Sequence, residues 1–167
     1  FLKRDLVDAL IACEKKVTAK PKKEMYSTPN NAFVVRNEFS CISVDAKKTF
    51  EVFMRLNLRF PQQFSIGLRY RSEDGSCILC RYNGNQEHTN KLADRQKFHA
   101  FHIHKLFDQQ LSNDTDNILD AEPTTRYVTF EEALYCFLND CHIQEWQKYF
   151  PDLENKINQL HFPLTEE

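Results

Sequence analysis

The chain has 167 residues, 41% of them hydrophobic, with fourteen Phe but only three Gly and six Pro. That suits one domain with a real core and excludes a low-complexity chain. A formal net charge of −2 and an isoelectric point near 6.3 exclude a protein that binds nucleic acid by bulk basicity, so any such contact has to come from a local patch.

Six cysteines, at 13, 41, 77, 80, 136 and 141, are not spaced like a small secreted scaffold and read as reduced thiols of a cytoplasmic protein. In the first segment, 1–20, Leu2, Leu6, Ala9, Leu10 and Cys13 recur at three- and four-residue steps, which predicts an amphipathic helix. Charges interrupt its apolar pattern, unlike a signal peptide, and no segment of the chain approaches the ~20 apolar residues of a membrane span. TAKPKKEMYSTPNN, with two Pro and several Lys, reads as a linker.

From residue 32 to 105 the period becomes two. AFVVR and SCISVD suggest one or two strands. Phe50, Val52, Met54, Leu56 and Leu58 alternate with Glu51, Phe53, Arg55, Asn57 and Arg59, as a long half-buried strand requires. FSIGLRYRS and CILCRYNG are two more strands, joined by the turn residues EDGS. SNDTDNILDAEPTTR reads as a polar surface loop. In the last segment, 129–160, Thr129 and Glu132 form a capping box ahead of the apolar face of TFEEALYCFLND, and IQEWQKYF and LENKINQL suggest a further helix or two, broken near Pro151. The expectation is a single α+β domain, 1–167: a central antiparallel β-meander with an N-terminal helix and C-terminal helices packed on one face.

Four of the six histidines fall in EHTNKLADRQKFHAFHIHK: His88, His99, His102 and His104. If residues 98–105 are extended, His102 and His104 share a face and His99 takes the other; if they are helical, His99 and His102 pair instead. The cluster fits three roles. It has the ligand type of a zinc site through His88, His102 and His104, although no conventional zinc signature accompanies it. It suits metal-independent acid–base chemistry, because neutral imidazole titrates near pH ~6.5. It also suits a hydrogen-bonded polar rim with no chemistry.

Arginines lie just upstream. Arg69 and Arg71 share the face opposite Leu68 and Tyr70, and a hairpin at Asp74-Gly75 brings Arg81 near them. Between residues 69 and 105, seven Lys or Arg stand against four Asp or Glu, a positive patch in an acidic chain. Cys77 and Cys80 form C-x-x-C, but within a strand their side chains face opposite ways, so they do not readily chelate one ion and read as structural. Three glycines leave no room for a P-loop or a dinucleotide motif.

The succession IGLRYRSEDGSCILCRYNG, EHTN, FHAFHIHK and YVTFEEALYCFL, over residues 64–140, resembles the small TumE-type toxins of bacterial toxin–antitoxin pairs and related bacterial domains of unknown function. The resemblance implies action on RNA and falls on Arg81, Asn83, His88, His102 and His104. The resulting expectation is an RNA-cleaving toxin or defence enzyme that needs no cofactor, zinc at the histidines being the lesser alternative. His102 or His104 would be the base, and His88 or the other the acid. Arg69, Arg71, Arg81, Asn83 and Lys105 would hold the substrate. RNA and a cognate antitoxin or other protein are the implied partners. The alternative is a non-catalytic binding protein, such as an inhibitor of a host defence complex, with Phe98 and Phe101 serving an interface.

Overall fold

A computed structural model describes residues 4–90, 96–106 and 121–161. Twelve short runs of order follow in sequence: α1 (Arg4–Ala12), β1 (Lys15–Ala19), β2 (Tyr26–Thr28), β3 (Asn31–Ser43), β4 (Thr49–Asn57), β5 (Phe64–Ser72), β6 (Gly75–Thr89), β7 (Lys97–Lys105), β8 (Ala121–Pro123), α2 (Phe130–Asp140), a 3-10 turn at Trp146–Lys148 and α3 (Leu153–His161). The eight strands form one antiparallel sheet in the order β1-β3-β4-β5-β6-β7-β8, with β2 also pairing β3. The α+β expectation, a meander with helices on one face, is what the chain adopts.

Alternation decides the faces. Phe39, Cys41, Phe50, Val52, Met54, Ile66, Leu68 and Tyr82 are buried on one face, against Val7 and Leu10 of α1 and Leu134, Phe137 and Leu138 of α2. Tyr82 stands edge-on to Phe137, and Phe64 packs on Tyr127 and Phe130. The Thr129 hydroxyl accepts the Glu132 amide at 3.1 Å, so the capping box starts α2 as its spacing demands. The opposite, open face carries Arg36, Arg55, Ser65, Arg69, Arg81, Asn83, His102 and His104, which follow from the same register.

Four local expectations need correction. The N-terminal helix stops at Ala12, and Lys15–Ala19 is a strand on β3. Lys15 is the reason: it is fully buried, and its ammonium donates to the carbonyls of Ile11 at 2.7 Å, Cys13 at 2.7 Å and Cys141 at 2.9 Å. It thereby satisfies carbonyls that the ends of α1 and α2 leave open. The linker contains β2, which shares an edge of β3 with β1, and the polar loop ends in the edge strand β8. The rest of that loop, 112–120, lies outside the described residues. Finally, Cys77 and Cys80 face the same way. A bulge opposite Leu68 and Arg69 inserts one residue, so both thiols turn into the core opposite Tyr70 and Leu68. All six cysteines are free.

Candidate functional site: three histidines beside an arginine-lined sheet face

β7 is extended throughout, so His102 and His104 share the open face while His99 is exposed on the other. His88 joins them only because of a second bulge. Asn83 and His88 are five residues apart, an odd number, which puts them on opposite faces of a regular strand. In β6 the register slips between Asn83 and Gln86, and His88 returns to the face of Asn83, opposite Phe98. Gly84 makes that bulge feasible. The Gln62 carbonyl approaches so closely that a Cβ on residue 84 would lie 1.8 Å from its oxygen. The Asn85 amide donates to the same carbonyl at 2.8 Å.

The three imidazoles then converge. Ring centroids lie 4.6 Å apart for His88–His104, 5.1 Å for His102–His104 and 5.3 Å for His88–His102. One nitrogen from each lies within 4.8 Å of the other two. Phe98 packs against His88 and His102 as an apolar wall. His102 is 1% exposed and His104 2%, whereas His88 is half-buried at the rim. Nδ1 of His102 lies 2.7 Å from the Ala100 carbonyl, which only accepts, so Nδ1 carries the proton and Nε2 keeps its lone pair. Nε2 faces the Asn83 amide at 3.3 Å, and Ser65 fixes that amide by donating to its Oδ1 at 2.8 Å. Burial, first, and then the charges of His88 and Arg81 push the His102 pKa down, while the Ala100 bond opposes them; His102 is neutral at pH 7.

Beside the cluster the face is cationic. Arg36, Arg55, Arg69 and Arg81 line a depression of about 380 Å³ with Glu38, Phe53 and Ser65. A second depression of about 440 Å³ shares Arg36, Arg55, Ser65 and Arg81 and reaches Asn83. Two register rows run across the sheet into the histidines. One reads Arg36, Arg55, Ser65, Asn83, His102, and the next reads Glu38, Phe53, Gly67, Arg81, His104. Strands ~4.8 Å apart make the first row about 19 Å long. The distal end of the Phe53 ring packs on Gly67, where a Cβ would meet it at 2.1 Å, so an aromatic side chain sits among the arginines, with the Arg69 guanidinium 5.9 Å from the ring centroid.

The expected site residues divide clearly. His88, His102, His104, Asn83, Arg81 and Arg69 share the open face. Arg71 is on that face too, but its guanidinium grips Glu51 with contacts of 3.0 and 2.7 Å. Lys105 is on the helix-covered face and pairs with Asp8 of α1. Its position one residue past His104 reverses its direction. Phe101 is half-buried against Phe64 and Tyr127, which makes it a core residue, not an interface one. Arg36, Arg55 and Phe53 were missed. Their signal was present, since each sits in the polar phase of a strand, but only the register shows that they align with the histidines. No protein-family model matches the chain, and no curated protein and no solved structure matches it.

Proposed function

We propose that the open sheet face binds the backbone of single-stranded RNA and that the histidine cluster is where a phosphodiester is cut. The observation that carries this reading is the direct cross-strand pairing of Arg36 with Arg55. Like charges placed opposite one another destabilise a sheet. Neither side chain has a carboxylate partner among the described residues. An anion between them removes the penalty, and arginine forks match phosphate oxygens. Phe53 adds a ring for a base to stack on, the combination that single-stranded nucleic acid favours.

Burial redistributes the chemistry expected from sequence. At 1–2% exposure His102 and His104 offer a ribose hydroxyl no direct path, so the proposed cleavage does not rely on these two as base and acid. His88 is the least buried of the three imidazoles, with Nε2 turned inward, so a substrate would meet it through the exposed part of its ring; Arg81, opposite His104, is the nearest of the four arginines for charge developing on phosphorus.

A labelled oligoribonucleotide tests the reading. The expected outcome is binding that weakens steeply with salt and drops in the double variant Arg36→Gln, Arg55→Gln, together with cleavage that His88→Ala abolishes. Induced expression of the active protein should slow growth. Undiminished RNA binding by the double variant would overturn the binding face. Binding without cleavage would assign the face to a non-catalytic binding protein.

A further inference from the structure

The geometry points to a divalent transition-metal site at His88, His102 and His104, with zinc the ion that the donor set favours. It goes beyond the RNA reading and stands independently of it.

Three features carry the site. The first is donor type and number. Three imidazoles with one position left open is a ligand set that catalytic zinc uses, and imidazole also suits copper, iron and nickel. The second is orientation. The Ala100 carbonyl holds the Nδ1 proton of His102, which leaves Nε2 with a lone pair that, among the described residues, only the Asn83 amide meets, at 3.3 Å, within a cluster whose ligand atoms lie within 4.8 Å of one another. A backbone carbonyl on the far nitrogen is how metal-bound histidines are commonly held. The third is an unmet demand. Nε2 of His88 is buried and has no hydrogen-bond partner among the described residues, although its ring is only half-buried as a whole. A buried polar atom in that state costs free energy, and an ion in the cluster satisfies it.

The distances fit after a small closure. The ligand nitrogens lie within 4.8 Å of one another. Four-coordinate zinc at ~2.0–2.1 Å from each nitrogen needs them about 3.3 Å apart. His88, the least buried of the three, closes its own distances by side-chain rotation, and any gap between His102 and His104 has to close by small shifts of those two rings. The Asn83 amide yields its place on His102 Nε2, and at 3.3 Å that bond is already at the weak end of the range. Asn83 stays anchored through Ser65.

Charge decides what the fourth ligand is. Imidazole binds a metal as a neutral donor, and among the described residues no carboxylate joins the cluster, so the ion keeps its full charge. Arg81, opposite His104, adds another positive charge nearby. Such a centre prefers an anion at its open position, either hydroxide or a phosphate oxygen. A metal-bound water with a pKa near ~7 would be that hydroxide source. His102 and His104, too buried to meet a ribose hydroxyl directly, are well placed as ligands, since only an ion has to reach them.

Metal-stripped protein titrated with Zn²⁺ by calorimetry, and with Co²⁺ by visible absorption, tests the site without any activity assay. The expected result is one ion per chain, with the intense absorption of four-coordinate cobalt. His88→Ala should weaken binding by more than about 100-fold, because even partners outside the ligand shell are worth 10–100-fold. His88 is at the rim, so this variant should keep its fold, as read by circular dichroism. His99→Ala, exposed on the opposite face, should bind as the wild type does. Absence of a stoichiometric ion, or full binding by His88→Ala, overturns the site. Equal weakening in His99→Ala identifies adventitious surface binding and overturns it as well. Failure to cleave RNA would sink the cleavage reading and leave the metal result intact.

Discussion

The two faces of the sheet come from the same strands, one residue out of step, and they obey opposite rules. On the helix-covered face, Val52, Ile66, Leu68 and Phe137 are sealed from water, and the polar groups there are neutral or satisfied, as with Lys15 and its three carbonyls. On the open face, Arg36 stands opposite Arg55, a buried histidine nitrogen lacks a partner among the described residues, and an aromatic ring lies half-exposed on a glycine. The first face lowers the free energy of the fold, while the second spends part of that gain. Local rules broken together in one region mark a functional surface more often than a defect.

Substitutions sharpen this contrast. Phe137→Ala, on the covered face, should cost about 3–5 kcal/mol in chemical denaturation, by lost burial and a residual cavity. Gly84→Ala should cost about 1–3 kcal/mol as the bulge moves away from the Gln62 carbonyl. It should also weaken zinc binding in the calorimeter, since the bulge delivers His88; unchanged binding would disconnect bulge and cluster. Thr129→Ala should cost about 1 kcal/mol through the lost cap of α2, with RNA affinity unaffected. Arg55→Gln should do the reverse, raising stability by roughly 0.2–1 kcal/mol while lowering RNA affinity. A loss of stability in that variant would show that the arginine pair is not frustrated.

The two faces should also fail at opposite ends of the pH scale. His102 has a lowered pKa in the fold, so below its ordinary value near pH 6.5 the unfolded chain binds the extra proton and the metal-free fold loses stability on acidification. Cys41 and Cys77, on the covered face, are pushed by burial from 9.0 up to about 12 and about 11. Above pH 9 the unfolded chain ionises these thiols first, and stability falls as pH rises. Melting temperatures across pH should therefore bend down on both sides. His102→Gln should flatten the acid limb alone, and Cys41→Ala should relieve part of the alkaline limb.

Much of this was legible in the residues themselves. Phe50, Val52 and Met54 against Glu51, Phe53 and Arg55 announced a one-sided strand, and Thr129 with Glu132 announced the start of α2. His-x-His at 102 and 104 was a shared face as soon as the segment was extended. These features are local: alternation and capping depend on neighbours a few residues away. The gathering of the site was not local. His88 faces the pair because a bulge at Gly84 shifts its parity, and Cys77 and Cys80 turn together because another bulge shifts theirs. Arg36 meets Arg55, and both line up with His102, through a register set by strand pairing across the whole sheet. Sequence alone determined which residue types alternate along each strand. Only the tertiary structure decided which of them stand side by side, because a one-residue slip in pairing reverses every side chain beyond it.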